Sequence, residues 1–243
     1  MTITSRTVRH ATGGDLKPLD IYRAGEQGGA ACVLLWHGMG PDERDVMAWL
    51  AREIAGSGLT VLVPDWRSDQ ADGGRAHLTD SVRYARDHVR DARGSQGRLI
   101  LAGWSAGACA AVGAALRPES FGGWRPAAVV GIAGGYRRPA RTTGTVPLEA
   151  LTRAVPSLPV RLVHGTSDEV VPVDSSRELH AALLARGWDS ELSEPATDHA
   201  GVLGCVYDPV ARRCRTASAP AVADLGRRTA QVVADVALSC GRA

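Results

Sequence analysis

The sequence predicts an α/β fold with a mostly parallel central sheet and helices on both faces. Short apolar runs alternate with amphipathic stretches along the chain, as in consecutive β–α–β units. Two of these runs, "ACVLLWHG" from Ala31 and "LTVLVPDW" from Leu59, are almost continuously apolar, which is typical of strands buried on both faces of a parallel sheet. The 243 residues contain no repeat or low-complexity tract, so we predict a single domain spanning residues 1–243.

The individual elements follow from local patterns. Within Thr2–Ala24, "PLDIYRA" alternates apolar and polar residues, which predicts a half-buried antiparallel strand at a sheet edge. Further strands are predicted to begin at Ala31, Leu59, Arg98, Ala127, Val160 and Ser190. Helices are predicted in "PDERDVMAWLAREIAGSG" with Asp42 as its cap, from Ser105, and at about Thr79–Ala92, Asp174–Arg186 and Ala219–Leu238. Two irregular segments remain, a lid-like insertion at about Tyr136–Leu158 and the segment Gly204–Ala217.

Composition excludes several classes of protein. Lys and Arg total 28 against 26 Asp and Glu, and this net charge of +2 is too small to favour nucleic acid as a partner. There is no secretory signal and no apolar run of membrane-spanning length, so we expect a cytoplasmic protein with no membrane partner. The five cysteines include no C-x-x-C pair; Cys205 and Cys214 could close a loop, but free thiols are favoured.

The segment "GWSAG", residues 103–107, ends a predicted strand and opens a predicted helix. This is the setting of a nucleophile elbow, where a serine takes strained backbone angles and flanking glycines remove side chains that would collide. The amides and dipole at the start of the helix favour an oxyanion at the same place. We therefore predict Ser105 as a nucleophile, the alternative being a Gly- and Ser-rich turn without a catalytic role.

A serine nucleophile needs a base, and the base needs an orienting acid. "VRLVHGTSDEVVP" brings Asp168 just beyond a predicted strand, at the sheet edge where Ser105 also emerges. His199 in "TDHAG" follows the last predicted strand, which gives the order Ser, Asp, His. Asp168 is the predicted acid, with Glu169 as a lesser rival, and His199 is the predicted base. Asp198 is disfavoured because a residue cannot easily fold back onto the ring of its neighbour.

The fourth part of the predicted site, after the nucleophile, acid and base, is "HGMG", His37–Gly40, which follows a predicted strand. A second oxyanion amide is expected there. We predict the backbone N–H groups of Met39 and Ala106 as the oxyanion hole, and interpret His37 and His164 as structural. No spacing of His, Cys and carboxylate residues resembles a metal site, and no cofactor is predicted.

With these motifs in order, the sequence resembles α/β-hydrolases over nearly its whole length. "LDIYRAG" leading into "VLLWHGMG", "GWSAG" and "HGTSDEVVPVDSSRELHAAL" are similar to small bacterial carboxylesterases, including the feruloyl esterase and kynurenine formamidase group. Those relatives commonly carry H-G-G-G and H-G-F where this chain has "HGMG" and "HAGV". The resemblance implies an acyl-enzyme mechanism in which Ser105 attacks an acyl carbon, His199 shuttles the proton and water releases the acyl group.

We therefore expect a serine hydrolase that cleaves an ester of a small soluble substrate. The alternatives are an acyltransferase, cyclase or thioesterase acting on a biosynthetic acyl intermediate, and a ligand-binding protein that retains the triad. The insertion contains four arginines, Arg137, Arg138, Arg141 and Arg153. They indicate either a substrate that carries a carboxylate or a solvated loop. It has no long apolar helix pair, which predicts short-acyl or compact polar substrates, unless Gly204–Ala217 supplies an apolar wall.

Overall fold

The computed structural model describes residues 2–25, 31–90, 98–151 and 155–240. Eight strands form the central sheet: β1 Ile3–Thr12, β2 Asp15–Ala24, β3 Ala31–Trp36, β4 Thr60–Pro64, β5 Arg98–Trp104, β6 Ala128–Ile132, β7 Val160–Val163 and β8 Ser190–Ser193. Their spatial order is β1-β2-β4-β3-β5-β6-β7-β8. The β1/β2 and β2/β4 pairs are antiparallel and all other pairs are parallel. The prediction that "PLDIYRA" lies at the sheet edge is wrong: it belongs to β2, which pairs with β4 on one side and with the outermost strand β1 on the other.

Helices cover both faces of this sheet, as predicted. They are α1 Ala48–Gly56, α2 Arg75–Arg90, α3 Ala106–Leu116, α4 Pro147–Ala150, α5 Asp174–Leu184 and α6 Pro220–Ser239. Helices α1 and α6 share one apolar core with the sheet, whereas α2, α3 and α5 share the other. Strand β3 is buried throughout because Val33 and Leu35 face the first core and Leu34 and Trp36 face the second.

Two helix starts differ from the prediction. Asp42 does not cap a helix, because its carboxylate pairs with Lys17 at 2.7 Å and Arg67 at 2.9 Å. A short 3₁₀ turn, Arg44–Met47, follows instead and leads into α1. Helix α2 begins four residues earlier than predicted, where the Asp72 carboxylate accepts hydrogen bonds from the Gly74 and Ala76 amides. The predicted end of that helix, Ala92, lies outside the described residues.

The two segments predicted to be irregular contain regular structure. The first includes α4, and its Tyr136, Ala150 and Leu151 side chains are buried in the core shared with α3 and α5. The second forms an antiparallel hairpin of β9 Cys205–Asp208 and β10 Arg213–Thr216, outside the main sheet. Cys205 and Cys214 are both free thiols. Within the described ranges, no helix is long and apolar enough to cross a bilayer.

Candidate active site

Ser105 lies on a sharp turn between β5 and α3. Its backbone angles are φ 56° and ψ −116°, a strained conformation for a residue with a side chain. Its amide donates to the Ile132 carbonyl at the end of β6, at 2.8 Å, and this bond holds the turn against the sheet. The residue therefore lies at the carboxyl edge of the parallel strands, immediately before the first turn of α3.

Glycine is required on both sides of this turn. A Cβ atom on Gly103 would lie 2.3 Å from the Gly107 carbonyl, and one on Gly107 would lie 2.5 Å from the His37 carbonyl. Both contacts involve backbone, which cannot give way as the end of a flexible side chain can. The closeness of these three segments brings the start of α3 against the loop that follows β3.

Asp168 and His199 form a hydrogen-bonded pair at the same edge. The Asp168 side chain is fully buried, and its Oδ2 atom accepts a bond from His199 Nδ1 at 2.6 Å. Its Oδ1 atom accepts from the Val170 and Val171 amides at 2.9 Å and 2.8 Å. Because Nδ1 of His199 is occupied as a donor, Nε2 is left to accept a proton.

The loops that carry this pair are joined by their backbones. The ladder between β7 and β8 continues beyond both strands through bonds from the His164, Thr166 and Ser167 amides to the Ser193, Pro195 and Thr197 carbonyls, at 2.9–3.0 Å. A Cβ atom on Gly165 would lie 2.2 Å from the Thr197 carbonyl. The acid loop and the histidine loop therefore reach the site as one hydrogen-bonded unit.

The rival acids have other surroundings. Glu169 is exposed, and the carboxylate in contact with His199 is that of Asp168. Asp198 accepts bonds from the Ala200 and Gly201 amides, at 3.2 Å and 2.7 Å, and so opens the 3₁₀ turn after the histidine. The geometry thus favours Asp168 over both neighbours.

Trp104 connects His199 to the Ser105 turn. Its indole Nε1 donates to the His199 carbonyl at 2.9 Å, and the two rings lie 4.9 Å apart between centroids. Gly38 fits closely beside them, since a Cβ atom there would lie 2.8 Å from the Trp104 ring and 3.6 Å from the Ser105 Cβ. The structure thereby places His199 and the "HGMG" loop against Trp104, the residue directly before the predicted nucleophile.

Of the two amides predicted for the oxyanion hole, that of Ala106 directly follows Ser105, and that of Met39 directly follows Gly38, which packs beside the Ser105 Cβ. Among the contacts of the described residues, neither the Met39 nor the Ala106 amide donates to a protein acceptor. The peptide group that carries the Met39 N–H is held by its Gly38 carbonyl, which accepts a bond from His37 Nδ1 at 3.0 Å, and the next carbonyl, that of Met39, accepts from Ser68 Oγ at 2.6 Å. Both donors are thus free to bind an oxygen that carries developing charge.

His37 supports this loop from below and is fully buried. Its Nε2 accepts a bond from the Trp66 amide at 3.2 Å, and its Nδ1 donates to the Gly38 carbonyl at 3.0 Å. Burial lowers the pKa of His37 to about 3, so the ring stays neutral near pH 7. This agrees with the structural role predicted for it.

Comparison with known proteins identifies the fold. No protein-family model matches the chain, and no curated protein matches its sequence. Solved structures do match. The esterase Est22 is similar over 99% of this chain and 81% of its own, with a TM-score of 0.70 and 16% identity. The Pyrobaculum calidifontis esterase is similar over 99% and 86%, with a TM-score of 0.69 and 18% identity.

A third structure is LAE6, an α/β hydrolase enzyme from the metagenome of Lake Arreo, Spain, with a TM-score of 0.71 and 15% identity over 98% of this chain and 83% of LAE6. The chain has the α/β-hydrolase fold. The fold class predicted from the sequence is therefore confirmed.

In this α/β-hydrolase fold, the predicted acid has a second histidine contact that was not predicted from the sequence. His164, predicted to be structural, has its Nε2 3.2 Å from Asp168 Oδ2 and 2.8 Å from the Val171 carbonyl. Ser176 Oγ donates to its Nδ1 at 2.7 Å. Burial alone would raise the pKa of Asp168, but hydrogen bonds from His164, His199 and Val171 outweigh burial and hold it well below its usual range.

The spacing of "HGTSD" could have indicated this contact. His164 directly follows β7 and Asp168 comes four residues later, so a tight turn through Gly165 folds the acid back onto the ring. In the part of the chain that the structure describes, no group of three or more His, Cys, Asp or Glu side chains could hold a metal ion.

Proposed function

We propose that the protein is a serine hydrolase that cleaves carboxylic esters through an acyl-enzyme on Ser105. The observation that carries the proposal is the strained Ser105 turn at the same sheet edge as the hydrogen-bonded Asp168–His199 pair. The fold neighbours support it, since Est22 and the Pyrobaculum protein are described as esterases. Est22, LAE6 and an esterase named rPPE were each also solved with one serine replaced by alanine.

In the first step, Ser105 Oγ attacks the ester carbonyl carbon while His199 Nε2 accepts the hydroxyl proton. The Asp168 carboxylate holds the Nδ1–H of the ring and stabilises the imidazolium that forms. The Met39 and Ala106 amides bind the carbonyl oxygen as it becomes negative. His199 then gives its proton to the leaving alcohol, and the acyl group remains on the serine.

In the second step, water takes the place of the alcohol. His199 accepts a proton from this water, whose oxygen attacks the acyl carbon, and the tetrahedral intermediate binds the same two amides. Collapse of the intermediate breaks the bond to Ser105 Oγ, which regains the proton from His199. The products are a carboxylic acid and a free enzyme.

The surroundings of Ser105 favour small soluble substrates. Among the described residues of the insertion at 136–158, the Tyr136, Ala150 and Leu151 side chains are packed into the core and so do not cover a long acyl chain. Each CH₂ group of an acyl chain contributes about 0.8 kcal/mol to binding when it is buried. Because these side chains do not cover the acyl chain, a longer acyl chain gains little binding free energy. We therefore propose short-acyl or compact polar esters, with only a minimal lid.

Hydrolysis of 4-nitrophenyl butyrate by the purified protein tests this function. We expect turnover that Ser105→Ala lowers at least 1,000-fold, because the residual rate would rest on binding and the oxyanion amides alone. Ser120→Ala is the matched control, since Ser120 is an exposed serine beyond the far end of α3.

Two results would contradict the proposal: absence of turnover with acetyl, butyryl and thioester substrates, or full activity in Ser105→Ala. Addition of an alcohol separates hydrolysis from the acyltransferase alternative. A hydrolase releases mainly free acid in water, whereas an acyltransferase forms mainly the new ester.

A further inference from the structure

Among the arginines of the insertion, Arg141 stands apart. Arg137 pairs with Glu178 through two bonds of 2.6 Å and 2.7 Å, and Arg138 is exposed. Arg153 lies outside the described residues. Arg141 is half-buried, its Nη2 lies 3.5 Å from Met39 Sδ and its Nη1 lies against Gly73.

The Arg141 guanidinium has no carboxylate partner among the described residues. Two nearby acidic side chains are engaged elsewhere, since Asp42 pairs with Lys17 and Arg67, and Asp69 also pairs with Arg67. The Glu43 carboxylate lies against Gly40 and forms no ion pair with Arg141. A thioether sulfur is a weak acceptor, so most of the five N–H donors of Arg141 remain available. A half-buried cation in this state favours an anion from outside the chain.

Arg141 lies close to the proposed site of reaction. Met39, which it contacts, supplies one proposed oxyanion amide and follows Gly38, the residue packed beside Ser105. Cys109 gives a second indication, because it lies one helical turn after Ser105 on α3. Burial raises the pKa of the Cys109 thiol to about 12, and the Arg141 charge acts in the opposite direction.

A second cation adds to the positive potential here. Arg75, the first residue of α2, extends its Nη2 toward Gly144, while Arg141 extends toward Gly73. Each arginine therefore extends from its own segment to a glycine of the other segment. Within the described residues, Arg75 forms no ion pair. Two like charges in adjacent loops destabilise each other unless an anion is bound nearby.

We propose that Arg141 forms a carboxylate-binding subsite beside Ser105, and that the preferred substrate is a compact ester carrying a carboxylate. This inference rests on the proposed function and names the substrate class of the same site. The planar guanidinium suits a carboxylate because two parallel N–H bonds match its two oxygens. The carboxylate would hold the substrate at one end while the ester carbonyl meets Ser105 and the Met39 amide.

Two matched pairs of esters test the subsite. The acyl pair is mono-4-nitrophenyl succinate against 4-nitrophenyl butyrate, and the leaving-group pair is 3-acetoxybenzoate against phenyl acetate. The readout is the ratio of kcat/KM for the anionic ester to that for the neutral one. We expect Arg141→Gln to lower this ratio at least tenfold in one pair, mainly through KM, and Arg141→Lys to recover part of it.

Arg137→Gln is the matched control, because Arg137 lies in the same segment and pairs with Glu178. We expect it to leave both ratios unchanged. The pair that responds also identifies which half of the substrate carries the charge.

Unchanged ratios in Arg141→Gln, or an equal loss in Arg137→Gln, would overturn the subsite while leaving ester hydrolysis intact. Failure to hydrolyse any of the four esters would instead contradict the proposed function, and the subsite with it.

Discussion

Two regions of the molecule are held in very different ways. One is the acid–base cluster, which we define as Asp168, His199, His164 and Ser176. The Asp168 and His164 side chains are completely buried, and each makes several hydrogen bonds. The other is the outer rim, which we define as Met39, Arg141 and the hairpin β9–β10. There Met39, Tyr207 and Val210 are 52%, 55% and 93% exposed.

This difference separates two tasks. Proton transfer needs groups fixed within a few tenths of an ångström, and buried polar groups are fixed because an unpaired one is costly. Substrate recognition at the rim depends on a few side chains such as Arg141, which are anchored less firmly. We therefore expect changes in the cluster to alter rate with all esters, and changes at the rim to alter preference among esters.

The largest expected effect is that of Asp168→Asn. The amide cannot orient His199 in the tautomer that leaves Nε2 free, so kcat should fall by about 10³- to 10⁴-fold. Steady-state kinetics on 4-nitrophenyl butyrate measure this loss, and circular dichroism checks folding. Glu169→Gln is the control, and a larger loss in that variant would move the acid to Glu169.

The next largest effect on catalysis is expected when His164 is replaced. His164→Ala removes one charge-assisted bond to Asp168, worth about 1.5 kcal/mol, so kcat/KM should fall about tenfold with neutral and anionic esters alike. His164→Gln, which keeps a donor, should recover most of the activity.

A positioning role also predicts a change in pH dependence. Without the His164 donor, the Asp168 carboxylate becomes more basic and holds the His199 Nδ1–H more strongly, so the acid limb of the profile, which is set by the base, moves to higher pH. A His164→Ala variant with reduced stability but the parental pH profile would show that the ring serves folding alone.

The buried histidine His37, in the loop that carries Met39, should make folding stability depend on pH. The pKa of His37 falls from 6.5 to about 3 on burial, so between these values the unfolded chain binds a proton that the folded chain does not. Folding stability is therefore lost as pH falls below 6.5, by about 2 kcal/mol on reaching pH 5. Urea unfolding at pH 7 and pH 5 should show a smaller loss in His37→Gln. Equal losses would mean that His37 is protonated in the folded protein.

Changes in the hairpin should have the smallest effect. Val206 and Tyr207 are exposed in β9, and their replacement by serine should change kcat/KM for acetyl and butyryl esters less than about twofold. A series from acetyl to palmitoyl esters tests the rim more broadly. A rate that rises steadily beyond eight carbons, and that these replacements remove, would show that the hairpin forms an apolar wall.

The sequence predicted the positions of Ser105, Asp168 and His199 because each follows a strand, and strand ends of a parallel sheet meet at one edge. The local pattern of glycines around Ser105 was sufficient to predict its turn. These predictions depend only on short segments and on their order along the chain.

Other features depend on contacts that a single segment does not contain. The ion pair of Asp42 with Lys17 joins the loop before α1 to the β1–β2 hairpin, and it removed the predicted helix cap. The hairpin β9–β10 lacks sustained apolar alternation and pairs outside the main sheet, so its strands gave no clear pattern. The isolation of Arg141 could be recognised only once its neighbours were known.

The most direct test of a serine-based mechanism is to treat the protein with a fluorophosphonate and map the adduct by peptide mass spectrometry. We expect one adduct per chain, on the peptide that contains Ser105, formed more slowly in His199→Ala and absent in Ser105→Ala. An adduct on another residue, or undiminished labelling of Ser105→Ala, would contradict it.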